Sequence, residues 1–182
     1  MALVTGVSSG IGQALARLLA ARGHGVVLVA RRSERLELLT AELRNGAGPR
    51  IEVIPCDVSS EQQRARLLDE LAARGLTVEI AALCAGFGAG GRVIDQDRAQ
   101  LSTMVRTNLE AVVDLSAALM PGMVQRHRGG LLLVASIAGA QPLPGFAVYS
   151  ATKAAVTTFG EALHQEVKRD NVHVTVLTPG PV

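Results

Sequence analysis

The chain has 182 residues with 18 basic and 16 acidic side chains, a net charge of +2, 48% hydrophobic residues and only 2% aromatic ones. Charges of both signs are interspersed without a basic block or interleaved aromatics, so nucleic acid is not an expected partner. No apolar run reaches the roughly 18 residues of a membrane span, and the start, Met1-Ala2-Leu3-Val4-Thr5-Gly6, lacks the basic and apolar regions of a secretory signal; a cytoplasmic protein of one domain, residues 1–182, is expected.

In chain order, the first aliphatic run predicts a strand at 2–5. It feeds directly into Thr5-Gly6-Val7-Ser8-Ser9-Gly10-Ile11-Gly12, after which a helical period runs over 11–22. A strand, a glycine loop and a helix in this order make a phosphate cradle, because the free N–H groups of the helix start attract an anion. Gly6 permits the tight turn, Gly10 lets a pyrophosphate approach the backbone, and Gly12 lets helix and strand pack closely. With Ser8, Ser9 and Ile11 they form the candidate cofactor loop.

The second strand, 26–30, ends in Arg31-Arg32 before a helix at 33–43. An NAD site would carry a carboxylate here for the adenosine ribose; two guanidiniums favour a 2′-phosphate, so NADP(H) is preferred and NAD(H) remains possible. The competing reading makes Arg31, Arg32 and Arg35 a solvated helix start, against which stands the helix dipole. A third strand, 51–56, leads to Asp57 and Val58, candidate adenosine contacts. Asp57 either accepts from the adenine amino group or caps the helix at 60–74.

The fourth strand, 78–84, runs into Ala85-Gly86 and a glycine-rich stretch at 86–91, and a long helix at 98–125 carries Asn108. The fifth strand, 131–136, ends in Ser136. A glycine- and proline-containing stretch at 139–145 follows, then a helix at 148–168 with Tyr149 and Lys153, then a sixth strand at 172–178. This βα rhythm predicts a doubly wound parallel sheet of six strands between two helical layers, an α/β fold of Rossmann type. With so few aromatics the core falls to Ala, Val, Leu and Ile, as suits strands buried on both faces. Cys56 and Cys84 are expected to be buried free thiols, and the four scattered histidines give no metal-ligand spacing.

Tyr149 and Lys153 are four residues apart, hence on one face of their helix. A nearby ammonium favours a phenolate, which fits a phenol to exchange protons with a substrate. Ser136 should emerge at the same edge of the sheet as the glycine loop, able to donate to a substrate oxygen.

These residues resemble the short-chain dehydrogenase/reductases, in their short type with a TGxxxGxG loop. The resemblance covers residues 2–182 and rests on Thr5-Gly6-x-x-x-Gly10-Ile11-Gly12, Asn108, Ser136, Tyr149-x-x-x-Lys153 and Pro179-Gly180. It implies that Tyr149 exchanges the proton of a carbonyl/alcohol pair while hydride moves at the nicotinamide. Lys153 would hold the nicotinamide ribose, Ser136 would orient the substrate oxygen, and Asn108 would shape its helix for a water-linked proton relay. It also implies cofactor contacts at Ala85, Gly86, Pro179, Gly180 and Val182.

Two departures stand out. Members usually carry Asn-Asn-Ala-Gly after the fourth strand, and here the stretch is Leu83-Cys84-Ala85-Gly86, so the polar groups there need other partners. Members also continue past Pro179-Gly180-Pro181-Val182 with a substrate-covering segment, a helix and a strand, so a C-terminally truncated domain is expected. The cleft walls, Phe87, Val93, Leu143, Phe146 and Val148, point to an apolar carbonyl or alcohol substrate. Apolar residues on several faces of the long helices point to a homodimer or homotetramer. The alternatives are a non-catalytic NADP(H)-binding sensor and a sugar-nucleotide epimerase or dehydratase; the latter normally carries a different loop and a longer chain.

Overall fold

The computed structural model describes residues 1–44 and 48–180; Val182, expected at the cofactor, and part of the turn expected at 45–49 lie outside the described residues. Six strands pair in the order β3-β2-β1-β4-β5-β6, all neighbours parallel. They are β1 (Ala2–Thr5), β2 (Val26–Ala30), β3 (Ile51–Pro55), β4 (Ile80–Leu83), β5 (Gly129–Val134) and β6 (Val172–Leu177). The helices are α1 (Gly10–Ala21), α2 (Ser33–Leu43), α3 (Glu61–Ala73), α4 (Arg98–Val105), α5 (Ala111–Gln125) and α6 (Ala147–Val167). The expected doubly wound α/β sheet is therefore present.

Alternation along each strand sends neighbouring side chains to opposite faces. Leu3, Val27, Leu83 and Leu133 meet Leu67 of α3, Leu115 of α5 and Val156 of α6; Val4, Leu28 and Ala82 meet Ala16 of α1 and Leu36 of α2. Since helices cover both faces, all five residues of β2 are buried, and the run Val-Val-Leu-Val-Ala carries no polar alternation. Burying each such leucine contributes about 2 kcal/mol. Aromatics take little part: of the three phenylalanines only Phe159 packs against these clusters. No helix among the described residues is long and apolar enough to cross a membrane.

Two boundaries differ from expectation in ways that matter for the site. β5 begins at Gly129 and ends at Val134, so Ser136 does not terminate the strand. Its hydroxyl instead accepts from the Ala138 N–H at 3.2 Å and caps a short 3₁₀ turn, Ile137–Gly139, the local competition with strand pairing that serine commonly wins. The long helix expected at 98–125 is interrupted by a π-helical turn, Arg106–Glu110, between α4 and α5. Such wide turns concentrate at functional sites, and this one buries Asn108.

Candidate active site

The C-terminal ends of the strands open into a cleft of about 450 Å³, at the point where the strand order reverses between β1 and β4, where open α/β sheets bind ligands. At one end lies the start of α1. Ser9 occupies the cap position, but its hydroxyl caps nothing and the first turn holds no acidic residue. The first N–H groups of α1 thus have no side-chain acceptor and carry the positive end of the helix dipole, as an anion site requires. Gly6 adopts φ +73°, and a Cβ there would sit 2.8 Å from the Ala85 Cα and N, so the loop and the end of β4 can meet only without a side chain.

That contact also answers the missing asparagines. The Thr5 hydroxyl accepts from the Cys84 N–H at 3.0 Å and the Ala85 N–H at 3.1 Å, which satisfies the donors just beyond β4. Cys56 is buried as expected, whereas Cys84 is only half-buried and lines the cleft; burial pushes the Cys84 thiol up to about 12 and the Cys56 thiol up to about 11, which favours the protonated form of both near neutral pH.

The arginines beside the loop divide their work. Arg32 donates from Nη2 to Ser8 Oγ at 2.9 Å, and Arg35 donates from Nη1 to the Ser8 carbonyl at 3.0 Å. Arg31 lies with Nη1 3.9 Å from Asp57 Oδ2. The exposed guanidiniums converging on the glycine loop are therefore Arg32 and Arg35, the second of which the sequence marks only as part of a solvated helix start. Its signal was the spacing of one helical turn from Arg32. Asp57 does not cap α3; Oδ1 accepts from the Ser59 N–H and hydroxyl at 3.0 and 2.8 Å, while Ser60 caps the helix.

At the other end, Lys153 is 5% exposed. Its Nζ donates to the Val134 carbonyl at 2.7 Å and stands 5.8 Å from the centroid of the half-buried Tyr149 ring. Burial pushes the ammonium down from its usual 10.5 to about 8. The Tyr149 ring meets Phe146 edge-on, centroids 6.4 Å apart. Ser136, Tyr149 and Lys153 share the cleft with the glycine loop, Arg31, Arg32, Asp57, Val58, Ala85, Gly86, Pro179 and Gly180.

Asn108 stands behind this wall, 1% exposed. Its Nδ2 donates to the Phe87 carbonyl at 2.9 Å and to Thr152 Oγ1 at 3.2 Å, and its Oδ1 accepts from the Phe87 N–H at 3.0 Å. The side chain thereby ties the backbone after β4 to the helix turn that carries Lys153. Gly139 serves a similar purpose by being small: a Cβ there would lie 2.6 Å from the Ala154 N, so the Ser136 turn presses directly on α6. Gly139→Ala is expected to lower the melting temperature and to cut turnover about tenfold or more by shifting Ser136 relative to Tyr149. Thermal melts and initial rates on the variant check both effects.

An anion cradle and a phenol–ammonium–hydroxyl group in one cleft can bind a dinucleotide and pass a proton to or from an oxygen. The family profile described as short chain dehydrogenase matches residues 1–182. An uncharacterized oxidoreductase of Staphylococcus epidermidis is 31% identical over 182 residues, covering 100% of this chain and 77% of that protein. Among solved structures, the bulky-bulky ketone specific alcohol dehydrogenase from Comamonas testosteroni superposes with a TM-score of 0.93 at 30% identity, covering 100% of this chain and 72% of that one. A metagenomic short-chain oxidoreductase in complex with NADP superposes with a TM-score of 0.91 at 33% identity, covering 100% and 82%. Strand order, glycine loop and full-length profile match agree, and the chain belongs to the short-chain dehydrogenase/reductase family of oxidoreductases.

Proposed function

We propose that this chain, acting as one nucleotide-binding domain, is an NADP(H)-dependent oxidoreductase for a carbonyl/alcohol pair on an apolar small molecule. The observation that carries the proposal is the single cleft that joins the uncapped start of α1, Arg31 and Arg32 beside Ser8, and Tyr149 with Lys153 and Ser136, with Arg35 bonded to the Ser8 carbonyl next to it. The metagenomic relative solved with NADP supports the cofactor, and the ketone-specific relative supports the substrate class.

The residues fit such a cofactor. Ser8, Ser9, Gly10, Ile11 and Gly12 would hold the pyrophosphate at the helix start, where Gly10 has open space on its Cβ side. Arg32 and Arg35 would take the 2′-phosphate with charge-assisted hydrogen bonds. Arg31, Asp57 and Val58 would bound the adenine, and Ala85 and Gly86 the adenosine ribose. Lys153 would bond the nicotinamide ribose hydroxyls, with Pro179 and Gly180 beside the ring. When bound, the nicotinamide supplies or accepts the hydride.

The chain's own part is proton handling and orientation. Ser136 accepts from Ala138 through Oγ, which leaves its hydroxyl proton free for the substrate oxygen. Tyr149 gives its proton to that oxygen in reduction and takes it back in oxidation, and the Lys153 ammonium beside the ring stabilises the phenolate in between. Asn108 fixes Phe87 and the α6 turn so that these groups stay in register. Of the apolar walls expected from sequence, Phe87 lines the cleft and Phe146 meets the Tyr149 ring edge-on, surroundings that favour substrates with hydrocarbon substituents. Val105 of α4 and Val113 of α5 remain 39% and 38% exposed and would be covered in a homodimer or homotetramer.

NADPH with a panel of ketones tests the assignment: loss of the reduced nicotinamide's near-ultraviolet absorbance is expected, greatest for bulky apolar ketones. Tight NADPH binding with no turnover across the panel would instead favour the sensor. Arg32→Glu combined with Arg35→Ala is expected to weaken NADPH binding about 100-fold, from the loss of two charged hydrogen bonds, and to leave NADH little changed. Fluorescence titration with both cofactors measures this, and an unaltered ratio of the two dissociation constants would overturn the choice of NADP(H).

A further inference from the structure

Among the described residues one charged side chain is buried outside the cleft, and it bonds both the Val58 backbone on the adenosine side and the carboxylate that closes the π-helical turn. Arg64 of α3 is 2% exposed. It donates from Nη1 to the Val58 carbonyl at 2.7 Å, from Nη2 to Glu110 Oε1 at 2.7 Å, and from Nε to Asp114 Oδ2 at 2.5 Å. Val58 belongs to the adenosine side of the cleft, and Glu110 closes the π-helical turn that carries Asn108. Leu67 and Leu71, on the same face of α3, pack in the core. Another aliphatic residue at 64 would be the ordinary solution, since a buried guanidinium loses hydration that its partners seldom more than replace. Its presence calls for a geometric reason.

We propose that Arg64 is a positioning residue that couples the two halves of the site, a role that rests on the function proposed above. The planar guanidinium fixes three acceptors at set angles. Through Val58 it sets the adenosine wall; through Glu110 and Asp114 it sets the π-helical turn on which Asn108 reaches Phe87 and Thr152, the neighbour of Lys153. The Val58 arm should therefore govern cofactor affinity, and the carboxylate arm turnover. Glu110 and Asp114 are about half exposed, so each can be removed without stranding a second buried charge.

The test uses the full chain with NADPH titration, steady-state rates and amide hydrogen exchange. Arg64→Met is expected to raise the NADPH dissociation constant about tenfold, to lower kcat about tenfold, and to speed exchange across residues 106–110. Arg64→Lys, which cannot span three acceptors, should fall between Met and the parent. Glu110→Ala keeps the Val58 hydrogen bond, so it should leave NADPH affinity within about twofold while lowering kcat several-fold and speeding the same exchange; it also decides the matter if Arg64→Met does not fold. Variants that only melt earlier, with kcat, affinity and exchange of the parent, would reduce Arg64 to packing and overturn the proposal. If the parent itself binds no NADPH, the functional assignment fails first. Exchange at residues 106–110 and at Phe87 in Glu110→Ala then judges the coupling alone: faster exchange upholds it and parental exchange refutes it.

Discussion

Tyr149→Phe is expected to bind NADPH within about twofold of the parent and to lose turnover about 10³-fold or more, as for removal of a general acid/base. The substitution deletes one oxygen. The ring would keep its edge-on contact with Phe146 and its place over Lys153, so cofactor contacts and packing should survive. What goes is the proton that, in the proposed reaction, the substrate oxygen exchanges as hydride moves. Titration of NADPH fluorescence and initial rates on the best ketone separate the two quantities, and a Phe variant with parental turnover would remove Tyr149 from the chemistry.

Lys153→Met separates stability from function. The ammonium is buried, bonded to the Val134 carbonyl, and pushed down to about 8 by loss of hydration. A lysine whose pKa falls on folding favours its neutral form in the native state, so the unfolded chain binds more protons between about 8 and 10.5 and stability rises with pH across that window. Below pH 8 the full cost is present, on the order of 3 kcal/mol, and methionine avoids it while giving up one hydrogen bond of about 1 kcal/mol. The variant should therefore melt no lower than the parent at pH 7. Its advantage should shrink as pH climbs toward 10, while its turnover falls about 10³-fold. Melting curves of cofactor-free parent and variant at several pH values check the sign; a parent advantage at pH 7 that grows with acidity would contradict it.

Much of the architecture was legible because both faces of the sheet are covered. The unbroken aliphatic runs at 2–5 and 26–30 became β1 and β2 without change, and the glycine loop fell between strand and helix as its residues require. Boundaries shifted where side chains compete with the ladder. β4 stops at Leu83 because Thr5 takes the next two amides, and β5 stops at Val134 because Ser136 turns back on Ala138. The π-helical turn around Asn108 left no mark in the hydrophobic period, since a single wide turn displaces it by only one residue.

Arg64 was the least legible of all. In Gln62-Gln63-Arg64-Ala65-Arg66 it reads as one more solvated charge, and only the arrival of Glu110 and Asp114, 46 and 50 residues away in sequence, lets it be buried. Arg35 is the intermediate case, within one helical turn of Arg32 yet meaningful only once Ser8 is seen between them.

The chain has one tyrosine and no tryptophan, and that tyrosine lies in the cleft. Ultraviolet difference spectra of phenol ionisation, or tyrosine emission quenched as a ligand enters, would accordingly report from a single ring at the proposed reaction centre. An optical probe is thus already in place, and the proton state of that ring can be followed in solution without labelling or engineering the protein.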